Sequence, residues 1–213
     1  MPHTLHDRLC SAPIIPLIDD DNAERSVRTA AALRDGGLGV IEVVMRSDGA
    51  QAAMEAVIGK VEDVVVGAGT VLTLDQAKSV LASGAQFVVS PGLVEDIVEH
   101  CLGEGVPVYP GTMTAGEVQR AHAMGLDTVK FFPASLAGGV PMLKALSAVF
   151  RQMRFMPTGG ISPQNLAEYL ALDGVIACGG SWLTPDDANA SGDFAQITRL
   201  AQEALRIAGT VRG

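Results

Sequence analysis

Short apolar runs alternate along the chain with stretches that are apolar on one face only. The runs are Pro13–Asp19, Val40–Met45, Asp63–Ala68, Ala85–Ser90, Pro107–Tyr109, Asp127–Phe132, Arg154–Pro157 and Val175–Cys178. They are rich in Val, Ile and Phe and apolar at successive positions, as parallel strands covered on both sides are. Between them the pattern predicts helices with their own punctuation. Asp21 with Glu24 has capping-box spacing, and that helix ends at Gly36-Gly37. Thr73 with Gln76 opens a helix ending at Gly84, and Thr114 with Glu117 one ending at Gly125. Ser162-Pro163 reads as an N-cap with a first-turn proline. A last helix is expected over about Asp193 to Ala208.

Eight strand–helix units in 213 residues leave roughly 27 residues for each. No repeat or low-complexity linker divides the chain, so a single-domain (β/α)8 TIM barrel over residues 1–213 is expected. An open doubly wound sheet is the other solution. No G-x-G-x-x-G follows the first run, which disfavours its dinucleotide-binding form.

Composition narrows the function. With 48% hydrophobic and 18% charged residues the chain has ample material for a core. A net charge of −9 opposes general nucleic-acid binding but leaves room for a local anion site. Cys10, Cys101 and Cys178 are far apart and have neither metal-ligand nor disulfide spacing, which suits a reducing cytoplasm. Met1 to Cys10 is polar and lacks a signal-peptide core, and no run reaches membrane-span length. Positive mean hydropathy, +0.29, suggests further apolar surface buried between subunits. His3 and His6 precede the first strand, and His100 and His122 fall in helices, so no metal-ligand cluster is expected.

In a barrel, chemistry gathers at the C-terminal ends of the strands. Lys130 interrupts the apolar run Val129-Lys130-Phe131-Phe132, and alternation puts it on one face with Phe132. Burial disfavours an ammonium, and a neutral amine attacks carbonyls to form Schiff bases. Glu42 is the one charge inside Val40–Met45 and shares a face with Val44 and Arg46. Strands two and six lie opposite each other in a ring of eight, so Glu42 and Lys130 can meet inside it. A structural ion pair would account for the same pattern. Arg46 suits a carboxylate or phosphate, or is a surface arginine. Thr70 ends Gly67-Ala68-Gly69-Thr70 with a hydroxyl, or simply turns into the next helix. Thr158-Gly159-Gly160-Ile161-Ser162 and Gly179-Gly180-Ser181 follow strands seven and eight, where barrels frequently hold phosphate on main-chain N–H groups; ordinary tight turns are the other reading.

These stretches together resemble the 2-keto-3-deoxy-6-phosphogluconate (KDPG) and 4-hydroxy-2-oxoglutarate (KHG) aldolase family. The matching motifs also include Ser90-Pro91-Gly92-Leu93, Lys130-Phe131-Phe132-Pro133-Ala134 and Gly180-Ser181-Trp182-Leu183, and they run across nearly the whole chain. The resemblance implies Lys130 as the Schiff-base lysine and Glu42 as the acid/base. It implies Arg46 and Thr70 at the substrate carboxylate, and Pro91 and Phe132 shaping the pocket. Thr158 would meet the substrate hydroxyls, and Gly159, Gly160, Gly180 and Ser181 the phosphate. It implies a cytoplasmic homotrimer without metal or cofactor, in the Entner–Doudoroff pathway, releasing pyruvate from a 2-oxo acid phosphate. Two stretches depart from the family pattern, Thr112-Met113 and Ser135-Leu136-Ala137-Gly138-Gly139, the second bordering the substrate tail. An aldolase for the galactonate-derived epimer, a metal-dependent barrel enzyme and a non-catalytic phosphate-binding barrel are the competing functions.

Overall fold

The computed structural model describes residues 5–212. Eight parallel strands form one sheet: β1 (Ile14–Ile18), β2 (Val40–Val44), β3 (Val65–Gly69), β4 (Val88–Ser90), β5 (Val108–Thr112), β6 (Thr128–Phe131), β7 (Arg154–Pro157) and β8 (Cys178–Gly180). The helices are α1 (Leu5–Ser11), α2 (Ala23–Asp35), α3 (Ala50–Lys60), α4 (Leu74–Ala82), α5 (Glu95–Gly103), α6 (Ala115–Ala123), α7 (Gly139–Val149), α8 (Leu166–Leu170), α9 (Asp186–Ser191) and α10 (Phe194–Arg212). Neighbouring strands pair in chain order, and β8 pairs with β1. The ring closes between β7 and the segment leading into β8. There Phe155 bridges Val175, its N–H donates to Gly174 O at 2.8 Å, and Ile176 N–H returns to Phe155 O at 3.0 Å. This is a (β/α)8 barrel.

Two apolar layers follow from strand alternation. Outward residues such as Ile18, Ile41, Val43, Ala68, Val129 and Phe155 bury against the helices. Inward residues Ile15, Val40, Phe87, Val89, Met156 and Ala177 form a separate inner cluster. Leu9 of α1, fully buried, joins that inner cluster and closes the end of the barrel where the strands begin. The pattern along the chain did not show α1, because a seven-residue helix carries its apolar signal on Leu5 and Leu9 alone.

The capping expectations separate at two helices. Thr114 and Glu117 form the reciprocal capping box, and Thr73 caps α4 by accepting from Gln76 N–H at 3.1 Å. At α2 the cap is Asn22, accepting from Arg25 N–H at 2.9 Å, while Asp20 accepts from Asn22 N–H. Asp21 stays exposed. Asp20, Asp21 and Asn22 can all cap, and the direction in which the chain leaves β1 selects among them. At α8 the N-cap is Asn165. Ser162 and Pro163 lie in the turn before it, where Ser162 N–H donates to the Asn165 side chain.

Candidate active site

β2 and β6 bring the two buried charges together. Glu42 is 2% and Lys130 4% exposed, and Lys130 Nζ lies 3.8 Å from Glu42 Oε1. That distance exceeds a hydrogen bond, and Glu42 Oε1 has no hydrogen-bond partner among the described residues. Such an acceptor is free to take a hydrogen bond from a further polar group.

The inward positions around the pair are glycine, and each accommodates a neighbouring group. A Cβ on Gly69 would collide with the Glu42 carboxylate, and one on Gly67 with the Phe87 ring. A Cβ on Gly111, the β5 register partner of Lys130, would strike the Pro91 carbonyl. One on Gly179 would strike the Thr158 side chain. Each glycine thus lets a group from a neighbouring strand or loop come close, and Phe87, Val89 and Met156 complete the inner packing.

The other expected residues follow the C-terminal ends of the strands. Phe132 follows β6, its ring centroid 5.1 Å from Lys130 Nζ. Pro91 follows β4, its carbonyl against Gly111. Thr70 follows β3 and has φ 57°, an expensive left-handed conformation for a β-branched residue. Arg46 reaches across to β1, where one guanidinium N–H donates to Asp19 Oδ2 at 2.7 Å; both side chains are about half exposed. Thr158 is buried, and its hydroxyl lies 3.4 Å from Met156 O. Gly159 and Gly160 follow with φ of 93° and 79°, a conformation open to consecutive glycines. Asn165 fixes their turn, its amide donating to Gly160 O at 2.9 Å. Among the described residues nothing accepts from the N–H groups of Gly159, Gly160 or Ile161. Gly180 ends β8, and Ser181, exposed, begins the 3-10 turn Ser181–Leu183.

Three further residues were not among the expected site residues. Asp19 holds Arg46, and its place at the end of β1 was the available signal. Thr112, buried, donates to Lys130 O at 3.1 Å and so ties β5 to the lysine's own main chain. Ser135 lies against Gly160. The last two were legible only as departures from the family pattern.

Among the described residues no three His, Cys, Asp or Glu side chains gather as a metal site. His100 rides on α5 and His122 on α6, His6 lies on α1, and His3 falls outside the described residues. No helix among the described residues is long and apolar enough to cross a membrane.

The chain is similar to known proteins over nearly its whole length. The chain is 47% identical to the 2-dehydro-3-deoxy-phosphogluconate aldolase of Treponema pallidum (strain Nichols), over 98% of this chain and 99% of that one. It is 44% identical to the KHG/KDPG aldolase of Escherichia coli (strain K12), over 92% of each. The crystal structure of the KDPG aldolase of Legionella pneumophila, with pyruvate captured as a covalent carbinolamine intermediate, superposes with a TM-score of 0.90 at 39% identity, covering 93% of this chain and 97% of that one. The family "Aldolase: KDPG and KHG aldolase" matches residues 5–200, and the chain belongs to it.

Proposed function

We propose that this protein is a Schiff-base aldolase. It cleaves 2-keto-3-deoxy-6-phosphogluconate to pyruvate and glyceraldehyde 3-phosphate, and 4-hydroxy-2-oxoglutarate to pyruvate and glyoxylate. The observation that carries this reading is the buried amine of Lys130 beside the Glu42 oxygen that has no hydrogen-bond partner among the described residues, at a glycine-rich end of the barrel. A non-catalytic barrel has no use for two mutually accessible ionisable groups there.

In the proposed reaction the neutral Lys130 amine attacks the C2 ketone, and one proton passes from the attacking nitrogen to the carbonyl oxygen, giving a neutral carbinolamine. Glu42, directly or through a water, then protonates the departing hydroxyl, and loss of water leaves an iminium. The Phe132 face borders this cation. Glu42 or its water next removes the proton from the C4 hydroxyl. The electrons of that O–H bond form the aldehyde C=O, and those of the breaking C3–C4 bond flow to the iminium nitrogen, giving an enamine. Protonation at C3 and hydrolysis release pyruvate and restore the amine.

Arg46 and Thr70 hold the substrate carboxylate in this reading. Asp19 already takes one guanidinium N–H, so Arg46 approaches the carboxylate with its remaining donors. Pro91 and Phe132 wall the pyruvyl part, and Thr158 meets the substrate hydroxyls. The free N–H groups of the Gly159-Gly160 turn, with Gly180 and Ser181, receive the phosphate. No step needs a metal or cofactor. A homotrimer working in the cytoplasm, in the Entner–Doudoroff pathway, completes the proposal.

The deciding experiment is borohydride reduction with pyruvate present, followed by mass spectrometry. A reduced pyruvate adduct confined to the peptide carrying Lys130, and absent from Lys130→Arg, is expected, because a guanidinium stays protonated and forms no imine. A folded protein with no adduct would return the binding-barrel function to the front.

A further inference from the structure

The Gly159-Gly160 turn is flanked from two sides. On one side the β7 end meets β8, where the Thr158 side chain lies against Gly179 and the chain continues to Gly180 and Ser181. On the other side the chain leaving β6 is laced to the turn by two main-chain bonds. Ala134 N–H donates to Thr158 O at 2.8 Å, and Ser135 N–H to Gly159 O at 3.0 Å. These bonds set the Ser135 side chain directly against the α-carbon of Gly160, so close that any side chain at position 160 would collide with its hydroxyl.

That hydroxyl has no hydrogen-bond partner among the described residues, and both Ser135 and Gly160 are exposed. It is therefore a free donor held at the β6 flank of a turn whose own N–H groups are also free. We propose that Ser135 is a specificity-determining ligand for the substrate's phosphorylated tail, matching from the β6 side what Ser181 supplies from the β8 side. The proposal rests on reading the turn as the phosphate seat. A hydroxyl reaches a phosphate oxygen with one short hydrogen bond and adds no charge. It thus favours the phosphorylated substrate without disturbing the amine and carboxylate deeper in the barrel.

The test is steady-state cleavage of 2-keto-3-deoxy-6-phosphogluconate and of its unphosphorylated counterpart by the unmodified protein, Ser135→Ala and Ser135→Thr. Pyruvate trapping with borohydride and inhibition by inorganic phosphate are measured on the same proteins. Ser135→Ala is expected to raise KM for the phosphorylated substrate about tenfold and to weaken phosphate inhibition by a similar factor. Its kcat, its action on the unphosphorylated substrate and its pyruvate trapping should be unchanged, and Ser135→Thr should restore the unmodified KM. Equal losses on both substrates would make Ser135 a spacer for the turn and overturn the proposal. Unchanged constants on both would overturn it as well. If the unmodified protein itself shows no preference for the phosphorylated substrate, the phosphate reading of the turn fails, and the proposal with it.

Discussion

Glu42 shows how much one side chain depends on what surrounds it. A carboxylate with an oxygen left unbonded in a protein interior is costly, and structures keep few such groups without a use for them. Its 3.8 Å separation from Lys130 Nζ fits a pair that works through a third group better than a closed ion pair. Glu42→Gln keeps the shape and removes the base. Turnover of 2-keto-3-deoxy-6-phosphogluconate should fall about a hundredfold or more, read by coupled detection of pyruvate, while the folded structure is retained. An unchanged kcat would remove Glu42 from the proton-transfer role.

At the level of elements, the strands reveal a division of labour that composition conceals. β3 ends Gly67-Ala68-Gly69, and β8 is Cys178-Gly179-Gly180. In most strands inward glycine weakens packing. Here Gly69 clears space for the Glu42 carboxylate and Gly179 for Thr158. Gly69→Ala should therefore cost about 1–3 kcal/mol of stability through overpacking and displace Glu42 from its seat. The expected result is a lower urea midpoint together with at least a tenfold loss of turnover. Full activity in that variant would mean the carboxylate can work from elsewhere. The glycines also explain the elements that the pattern placed imperfectly. β8 was expected at Val175–Cys178, but Val175 serves as a single bridge to β7, and the strand proper is the glycine-rich part, which carries no side-chain signal. β5 likewise runs on through Pro110-Gly111-Thr112, residues that locally favour a break.

Across the whole molecule the three cysteines sort by depth. Cys10 is exposed on α1, 3.5 Å from the His6 ring. Cys101, buried on α5, has its thiol pushed up to about 11 by desolvation. Cys178, buried on β8, is pushed up further for the same reason. At pH 8 both buried thiols stay protonated and out of reach. A colorimetric thiol reagent should thus titrate one equivalent rapidly in the native protein and three after denaturation. Three rapid equivalents without denaturant would show that the barrel opens around both α5 and β8.

The sequence by itself determined the class of fold and the identity of the chemistry. Doubly buried parallel strands must be apolar at successive positions, and a lysine and a glutamate inside two such runs stand out because burial makes them costly. Family motifs spread along the chain then named the reaction class. The tertiary structure decided what depends on neighbours distant in sequence. It chose Asn22 over Asp21 as the cap of α2, paired Arg46 with Asp19, and closed the ring through Phe155 and Val175. It also turned glycines that read locally as breakers into the seats of neighbouring side chains, and set Ser135 against Gly160. Periodicity reports which face of an element is buried; only the closed barrel fixes which side chains from different elements share the space inside it.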